Sequence, residues 1–131
     1  MKVESYEKVL DYLKKVRIPK NVKEIVRILL DKKAENVVVL KFKGIIDFTD
    51  YLIICHGNST KQNQAMSDEI IKRMRKDFKQ KPFSKEGEQL GEWILIDYID
   101  FILHIFLKET REKYNLEKLW LDAKKYDFSI D

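Results

Sequence analysis

The stretch GEWILIDYIDFILHIF, residues 91–106, consists mostly of β-branched, aromatic and aliphatic side chains, which favour β-strands. It predicts two strands, Glu92 to Tyr98 and Phe101 to Leu107, joined by a tight connection. With Tyr98 and Ile99 as a two-residue turn, antiparallel pairing sets three pairs of residues opposite one another. The predicted pairs are Trp93 with His104, Leu95 with Ile102, and Asp97 with Asp100.

Alternation along these strands separates their side chains onto two faces. One face is entirely apolar and is expected to face the core. Its residues are Ile94, Ile96, Phe101, Leu103 and Ile105. The other face carries Trp93 and His104 among aliphatic residues, with Asp97 and Asp100 at the turn end. Two interpretations of this second face remain open: a helix covers it and the aspartates cap the turn, or it is exposed and binds a protein partner.

Catalytic chemistry is not predicted. Cys55 and His56 are adjacent on a predicted strand, so their side chains point to opposite faces and cannot pair as nucleophile and base. His104 and Asp100 are separated by roughly 13 Å of strand, which is too far for a hydrogen bond. The histidines and the cysteine lack zinc-site spacing, and four glycines are too few for a phosphate-binding loop. The sequence therefore predicts no catalytic residue, no metal site and no cofactor.

Composition favours one globular domain. The chain has 131 residues, of which 44% are hydrophobic and 37% charged, enough for a core beneath an ionised surface. With 26 Lys and Arg against 22 Asp and Glu, the net charge is too small for a protein that mainly coats nucleic acid. A single Cys55, an N-terminus without a secretory apolar run and the lack of any membrane-spanning run predict a cytoplasmic protein with no membrane segment.

Apolar periodicity predicts the helices. One helix over residues 4–17 ends before Pro19, and a second helix capped by Asn21 follows. A third helix begins after Ser59, whose spacing to Gln62 is that of a capping box. The other expected elements are strands in ENVVVLKF and TDYLIICHG with a turn at Gly44, a loop over residues 79–91, and a polar C-terminal helix. Helices packed on a sheet, an α/β or α+β sandwich, are therefore the predicted fold class.

A basic run, KRMRKDFKQK, ends the third predicted helix. One account is a solvated helix face whose cations the helix dipole favours. The other account is a weak, sequence-independent contact with ribosomal RNA phosphates. The residues in question are Lys72, Arg73, Arg75 and Lys76.

Four segments occur in order between Ala34 and Ala123: AENVVVLKF, DYLIICHGNSTKQNQAMSDEI, an EG pair followed by GEWILIDYIDFILHIF, and REKYNLEKLWLDA. Together they resemble the ribosomal silencing factors, also called RsfS or Iojap proteins. The resemblance implies a mixed β-sheet flanked by helices, laid out like a nucleotidyltransferase without its catalytic carboxylates, and no enzymatic activity. It further implies a translation repressor that binds the large ribosomal subunit through its L-fourteen protein and sterically blocks association with the small subunit. Organellar relatives serve ribosome assembly.

The same resemblance implies which residues bind the partner. They are Trp93 of the family's G-x-W segment, Tyr98 of its D-Y-G-D turn and His104 of its H-x-F strand, with Asp97 and Asp100 bounding the turn.

Three positions depart from the family pattern. Ile99 stands where the turn has glycine, Lys41 where an acidic residue is usual, and His56 where a small hydroxyl residue is common. Because a β-branched residue resists a positive φ, a wider or bulged turn is expected at Ile99.

The predicted domain organisation is an N-terminal helical extension over residues 1–18, a family domain over 19–123 and a C-terminal tail over 124–131. A homodimer is left open. The alternative function is a nucleotide-binding or nucleotidyltransferase-like enzyme. Such catalysts hold Mg²⁺ with two carboxylates spaced by one residue on a strand, whereas Asp68 and Glu69 are adjacent on a predicted helix.

Overall fold

The computed structural model describes residues 3–42, 44 and 49–130, and in these residues five helices and six strands follow one another along the chain. The helices are α1 (Val3–Lys15), α2 (Lys20–Asp31), α3 (Thr60–Phe78), α4 (Lys108–Tyr114) and α5 (Leu116–Leu119). The strands are β1 (Glu35–Lys41), β2 (Tyr51–Gly57), β3 (Ser84–Glu86), β4 (Trp93–Asp97), β5 (Phe101–Leu107) and β6 (Lys124–Asp127).

All six strands belong to one sheet in the order β3-β4-β5-β2-β1-β6. The β2 and β5 strands run parallel, and the other four neighbouring pairs run antiparallel. Every residue of β2 is buried, as expected for a central strand covered on both faces. The predicted mixed sheet flanked by helices is confirmed.

The main core lies between one face of the sheet, here called the inner face, and helices α1 to α3. Apolar residues at three- and four-residue steps on α2 and α3 supply its helical side. They include Val22, Ile25, Val26, Leu29, Met66, Ile70 and Met74. The apolar hairpin residues Ile94, Ile96, Leu103 and Ile105 supply much of the sheet side and are fully buried.

Helix α3 begins at Ser59 as N-cap, with one of the two bonds of the predicted capping box and the other shifted to Asn58. The Gln62 N–H donates to Ser59 Oγ at 3.1 Å, and Gln62 Oε1 accepts from the Asn58 N–H at 2.7 Å. The predicted helix α2 is present, but its predicted cap at Asn21 was wrong, because the helix starts at Lys20 and its N-cap is Pro19. Proline already has the φ that the helix entry needs, so the start moves upstream and leaves Asn21 within the first turn.

Two segments without strand-like apolar patterns are strands. Residues 79–91, predicted as a loop, contain β3, and residues 124–131, predicted as a tail, contain β6. The β6 strand pairs with β1, setting Tyr126 opposite Val39, and the following Phe128 is fully buried. Both strands are short and polar, so their pairing is decided by the neighbouring strand and not by their own sequence. Gly44 has a φ of 85°, consistent with the predicted turn, but most of that connection lies outside the described residues.

The opposite, outer face of the sheet is only partly covered. The predicted C-terminal helix is interrupted at Asn115, which has a φ of 44°, and forms α4 and α5. Leu116, Trp120 and Ala123 pack over the β1–β2 side of the face. On the side of this face formed by the β4–β5 hairpin, several residues remain half-exposed.

Candidate partner-binding surface

The β4–β5 hairpin pairs in a register two residues away from the predicted one. Trp93 lies opposite Phe106, and Leu95 lies opposite His104. The difference arises at the turn, where the Tyr98 N–H donates to the Phe101 carbonyl at 2.9 Å, so that the turn residues are Ile99 and Asp100 instead of Tyr98 and Ile99. A shift of two preserves the alternation of side chains, and the predicted assignment of faces is therefore correct although the pairs are not.

The turn itself is tight, not wide or bulged. Ile99 adopts a φ of 74°, and the Asp100 N–H donates to the Tyr98 carbonyl at 2.9 Å, which closes a three-residue γ-turn. The Ile99 N–H donates to Asp97 Oδ1 at 2.7 Å. These bonds hold Ile99 in a conformation that costs a non-glycine residue roughly 1–3 kcal/mol. Asp97 caps the turn, as one of the two interpretations of this face expected.

Trp93 and His104 form a hydrogen-bonded pair on the outer face. Trp93 Nε1 donates to His104 Nδ1 at 3.0 Å, although the two residues are diagonal and not opposite neighbours. His104 is 7% exposed, and burial lowers its pKa to about 4, so the ring is neutral near pH 7 and can accept this bond. The half-buried indole also packs on the rings of Phe106 and Tyr114, with centroids 4.9 and 4.8 Å away. Trp93 is therefore fixed in orientation while part of it stays accessible.

A buried asparagine and a glycine position the start of β4. Asn63 Nδ2 donates to the Gly91 carbonyl at 2.8 Å and to the Phe106 carbonyl at 3.1 Å, joining α3 to β5 and to the segment that leads into β4. Gly87 has a φ of 78°, and a Cβ at that position would lie 1.9 Å from the Trp93 carbonyl oxygen. Neither residue is among those predicted from the sequence to form this surface. Asn63 does carry a signal, since it interrupts the apolar stripe of α3 with a polar residue that must find partners.

The uncovered part of the outer face, here called the open patch, consists of Trp93, Leu95, Asp97 and Ile102, all half-exposed. Of the five residues predicted to bind a partner, Trp93 and Asp97 belong to the open patch and Asp100 is exposed beside it.

The other two predicted residues are buried. His104 supports Trp93 from below, and Tyr98 stacks on Phe101 at 5.0 Å within the inner core. The face is therefore covered only in part, because Tyr114 lies over one edge of Trp93 while the rest of the open patch is half-exposed, and its binding to a partner stays a prediction.

A second polar site occupies a cleft of about 540 Å³ at the ends of β2 and β5. Arg111 is 8% exposed and donates from Nη1 to the Asn36 carbonyl at 2.8 Å and to His56 Nδ1 at 3.0 Å, while its Nε donates to Glu117 at 2.9 Å. His56 in turn bonds Glu35 at 3.1 Å. Burial and the Arg111 charge lower the pKa of His56, so this histidine is also neutral near pH 7. The network ties α4 and α5 to β1 and β2.

These positions do not assemble a catalytic centre. Cys55 is fully buried on the inner face, where burial raises the pKa of its thiol to about 12, and His56 lies on the outer side, as strand alternation predicted. Within residues 3–42, 44 and 49–130, no group of three or more His, Cys, Asp or Glu side chains could hold a metal ion. In the same part of the chain, no helix is long and apolar enough to cross a membrane.

The basic run of α3 divides into two sets. Arg73 pairs with Glu24 of α2 at 3.0 Å and with Asp77 at 3.3 Å, so its charge is already compensated. Lys72, Arg75 and Lys76 have no ion pair or side-chain hydrogen bond with any described residue. Together with Asp68, Ile71 and Lys85 they line a groove of about 370 Å³, in which Lys85 is paired with Glu88.

A family model described as "Ribosomal silencing factor during starvation" matches residues 15–131, nearly the whole chain. The chain belongs to the RsfS family. It is similar to the ribosomal silencing factor of Halalkalibacterium halodurans, with 47% identity over 71% of this chain and 79% of the relative. It is also 35% identical to the mouse protein named mitochondrial assembly of ribosomal large subunit protein 1, covering 73% of this chain but 43% of that protein.

Two solved structures resemble the fold. A Chromobacterium violaceum crystal structure has a TM-score of 0.74 at 26% identity and covers 80% of this chain and 87% of that chain. One from Bacillus halodurans has a TM-score of 0.66 at 43% identity, covering 76% and 91%. The family resemblance seen in the sequence is confirmed, and helix α1, apart from its last residue, lies before the matched region.

Proposed function

We propose that the protein represses translation by binding the large ribosomal subunit through its L-fourteen protein, and that it thereby sterically blocks association with the small subunit. The observation that carries the proposal is the open patch, which surrounds Trp93 and in which His104 holds the indole. The chain that carries this patch belongs to the ribosomal silencing factor family. The proposed action is non-enzymatic and cytoplasmic. Among the residues expected to touch the partner, Trp93, Asp97 and Asp100 offer accessible surface. His104 supports Trp93 from below, and the side chain of Tyr98 lies in the inner core.

The physical case for a protein partner rests on how Trp93 is held. A half-exposed indole whose N–H is already bonded to a buried histidine can lose its remaining water contact without leaving a polar group unpaired. Its packing on Phe106 and Tyr114 fixes the ring before binding, so little side-chain entropy is lost. Rigid, partly buried aromatic residues of this kind carry much of the binding energy in protein interfaces.

The decisive experiment compares Trp93→Glu with the wild-type protein in co-sedimentation with large subunits, in pull-down of the ribosomal L-fourteen protein and in subunit joining. Loss of this anchor is expected to weaken binding by at least about 2 kcal/mol, roughly thirtyfold in affinity. Tyr12→Glu is the matched control, because Tyr12 is an aromatic residue, 41% exposed, on a helix of the opposite layer. Unchanged co-sedimentation of Trp93→Glu, or wild-type protein that fails to bind, would refute the proposal.

A weak contact with ribosomal RNA phosphates is the second part of the proposal. Support comes from Lys72, Arg75 and Lys76, which make no ion pair or side-chain hydrogen bond with any described residue, although Asp68 lines the same groove. Arg73 is already paired with Glu24 and is left out of the proposed contact. Phosphate binding releases counterions, so each contact contributes about 0.9 to the slope of log affinity against log salt concentration.

Replacing these three cations by glutamine should therefore flatten the salt dependence of large-subunit binding by about 2 to 3. The control makes the same change of charge at three exposed lysines of the N-terminal helices and should leave the slope intact. These residues are Lys14, Lys15 and Lys20. Equal slopes for the two triple variants would remove the RNA contact while leaving the protein contact in place.

A further inference from the structure

Ile99 at the tip of the β4–β5 hairpin is unfavourable for the isolated protein in two ways. Its φ of 74° lies in a region that β-branched residues avoid, and 56% of its surface is exposed. Glycine at this position would remove both the backbone strain and the exposed apolar surface. Folding of the chain alone therefore favours a different residue here.

The turn that carries Ile99 is held in one conformation. Asp97 Oδ1 accepts from the Ile99 N–H at 2.7 Å, and the Tyr98 carbonyl accepts from the Asp100 N–H at 2.9 Å. The Asp100 carbonyl accepts from the Asp50 N–H at 3.0 Å, which ties the tip to the segment before β2. An apolar side chain displayed on a preorganised turn loses little conformational entropy on binding.

The surroundings of Ile99 define what it could bind. Phe83, 73% exposed, lies at the same end of the sheet, because its N–H donates to the Asp97 carbonyl at 2.7 Å. The exposed carboxylate of Asp100 has no ion pair or hydrogen bond with any described residue. This end of the hairpin therefore presents apolar side chains next to an uncompensated negative charge, and it is continuous with the open patch through Asp97.

We infer that Ile99 inserts into an apolar pocket on the protein partner of the open patch, and that a basic side chain at the rim of this pocket pairs with Asp100. The inference rests on the proposed function. In it, Ile99 determines which partner surfaces can bind. A partner without the pocket is rejected, because the rigid turn cannot move Ile99 aside. Binding thus compensates for a residue that is unfavourable in the free protein.

The test measures thermal unfolding and large-subunit affinity for the full chain and five variants. Ile99→Gly removes strain and side chain, Ile99→Asn tolerates the positive φ but is polar, and Ile99→Val keeps an apolar β-branched side chain. The glycine and asparagine variants should melt about 4 °C higher than wild type and bind about tenfold more weakly. The valine variant should match wild type within about threefold in affinity. Asp100→Lys should also bind about tenfold more weakly, whereas Asp122→Lys, at another exposed aspartate, should not.

The outcomes separate this inference from the proposed function. If Ile99→Gly binds like wild type while Trp93→Glu does not, the inference is overturned and the proposed function stands. If wild-type protein fails to bind large subunits, the proposed function itself is overturned. Weaker binding by Ile99→Gly without a higher melting temperature would overturn the explanation by strain, and equal affinities of Asp100→Lys and Asp122→Lys would overturn the basic rim.

Discussion

Protonation of His104 should loosen both the fold and the partner surface, and acidification is the simplest way to impose it. The folded-state pKa of this histidine is about 4, against an ordinary value of 6.5, because burial penalises the charged ring. Below pH 6.5 the unfolded chain therefore binds a proton that the folded chain does not, so stability falls as the pH falls and levels off below about pH 4. At about 1.4 kcal/mol per pH unit, the loss over this window is about 3 kcal/mol.

Urea denaturation at a series of pH values between 7.5 and 4 measures this loss. The control is His104→Asn, whose Oδ1 can accept from Trp93 but cannot titrate in this range. His56, whose pKa is also lowered, and the carboxylates contribute to the pH dependence of both proteins, so the comparison between them isolates His104. The variant should lose about 3 kcal/mol less than wild type across the window.

The same proton should weaken partner binding. A protonated ring carries hydrogen on both nitrogens, so His104 Nδ1 can no longer accept from Trp93 Nε1, and the indole loses the bond that fixes it. Large-subunit binding by the folded wild type should therefore weaken as the pH approaches about 4, where the folded ring itself takes up the proton, and the asparagine variant should resist this change. The reasoning is refuted if an NMR titration gives His104 a pKa near 6.5, or if both proteins lose stability in parallel.

Three further substitutions test the supports of the hairpin. Asn63→Ala leaves the Gly91 and Phe106 carbonyls without their buried donor. It should lower the free energy of unfolding, measured by urea titration, by about 2–4 kcal/mol. A loss below about 1 kcal/mol would contradict the bridging role of Asn63. Gly87→Ala places a methyl group against the Trp93 backbone at a positive φ, so it should destabilise by about 1–3 kcal/mol and alter tryptophan fluorescence, whereas unchanged fluorescence would mean that the loop adapts. Arg111→Met leaves the Asn36 carbonyl, His56 and Glu117 without their donor and should cost about 3–5 kcal/mol in thermal unfolding, with no rescue by Arg111→Lys if the planar guanidinium is needed.

Local patterns predicted the parts of this fold that depend on near neighbours in the chain. The interaction of Ser59 with Gln62 spans three residues and was correct, and the two faces of the hairpin follow from alternation alone. The hairpin register failed because it depends on a turn in which Ile99 takes an unusual conformation. Sequence rules expect a negative φ for isoleucine, so they do not predict a turn with Ile99 at its centre.

Long-range partners account for the rest. Asn63 donates to carbonyls that are 28 and 43 residues away in the chain. The residues next to Asn63 in the sequence do not indicate which carbonyls these are. The strand β6 contains two lysines and an aspartate, and only its pairing with β1 makes it a strand. The expectation that Tyr98 and His104 belong to the partner site came from position in a motif, which does not distinguish a residue that touches the partner from one buried beneath it.

The sheet order determines when the sheet can be completed during synthesis of the chain. The β1 strand, among the first elements to be made, has β6 as its outer neighbour, and β6 follows every other described element along the chain. During synthesis the outer edge of β1 stays without its strand partner until residues 124–127 have left the exit tunnel. Each newly made copy therefore completes its sheet only at the end of this region's translation, after almost the whole family domain has already been produced.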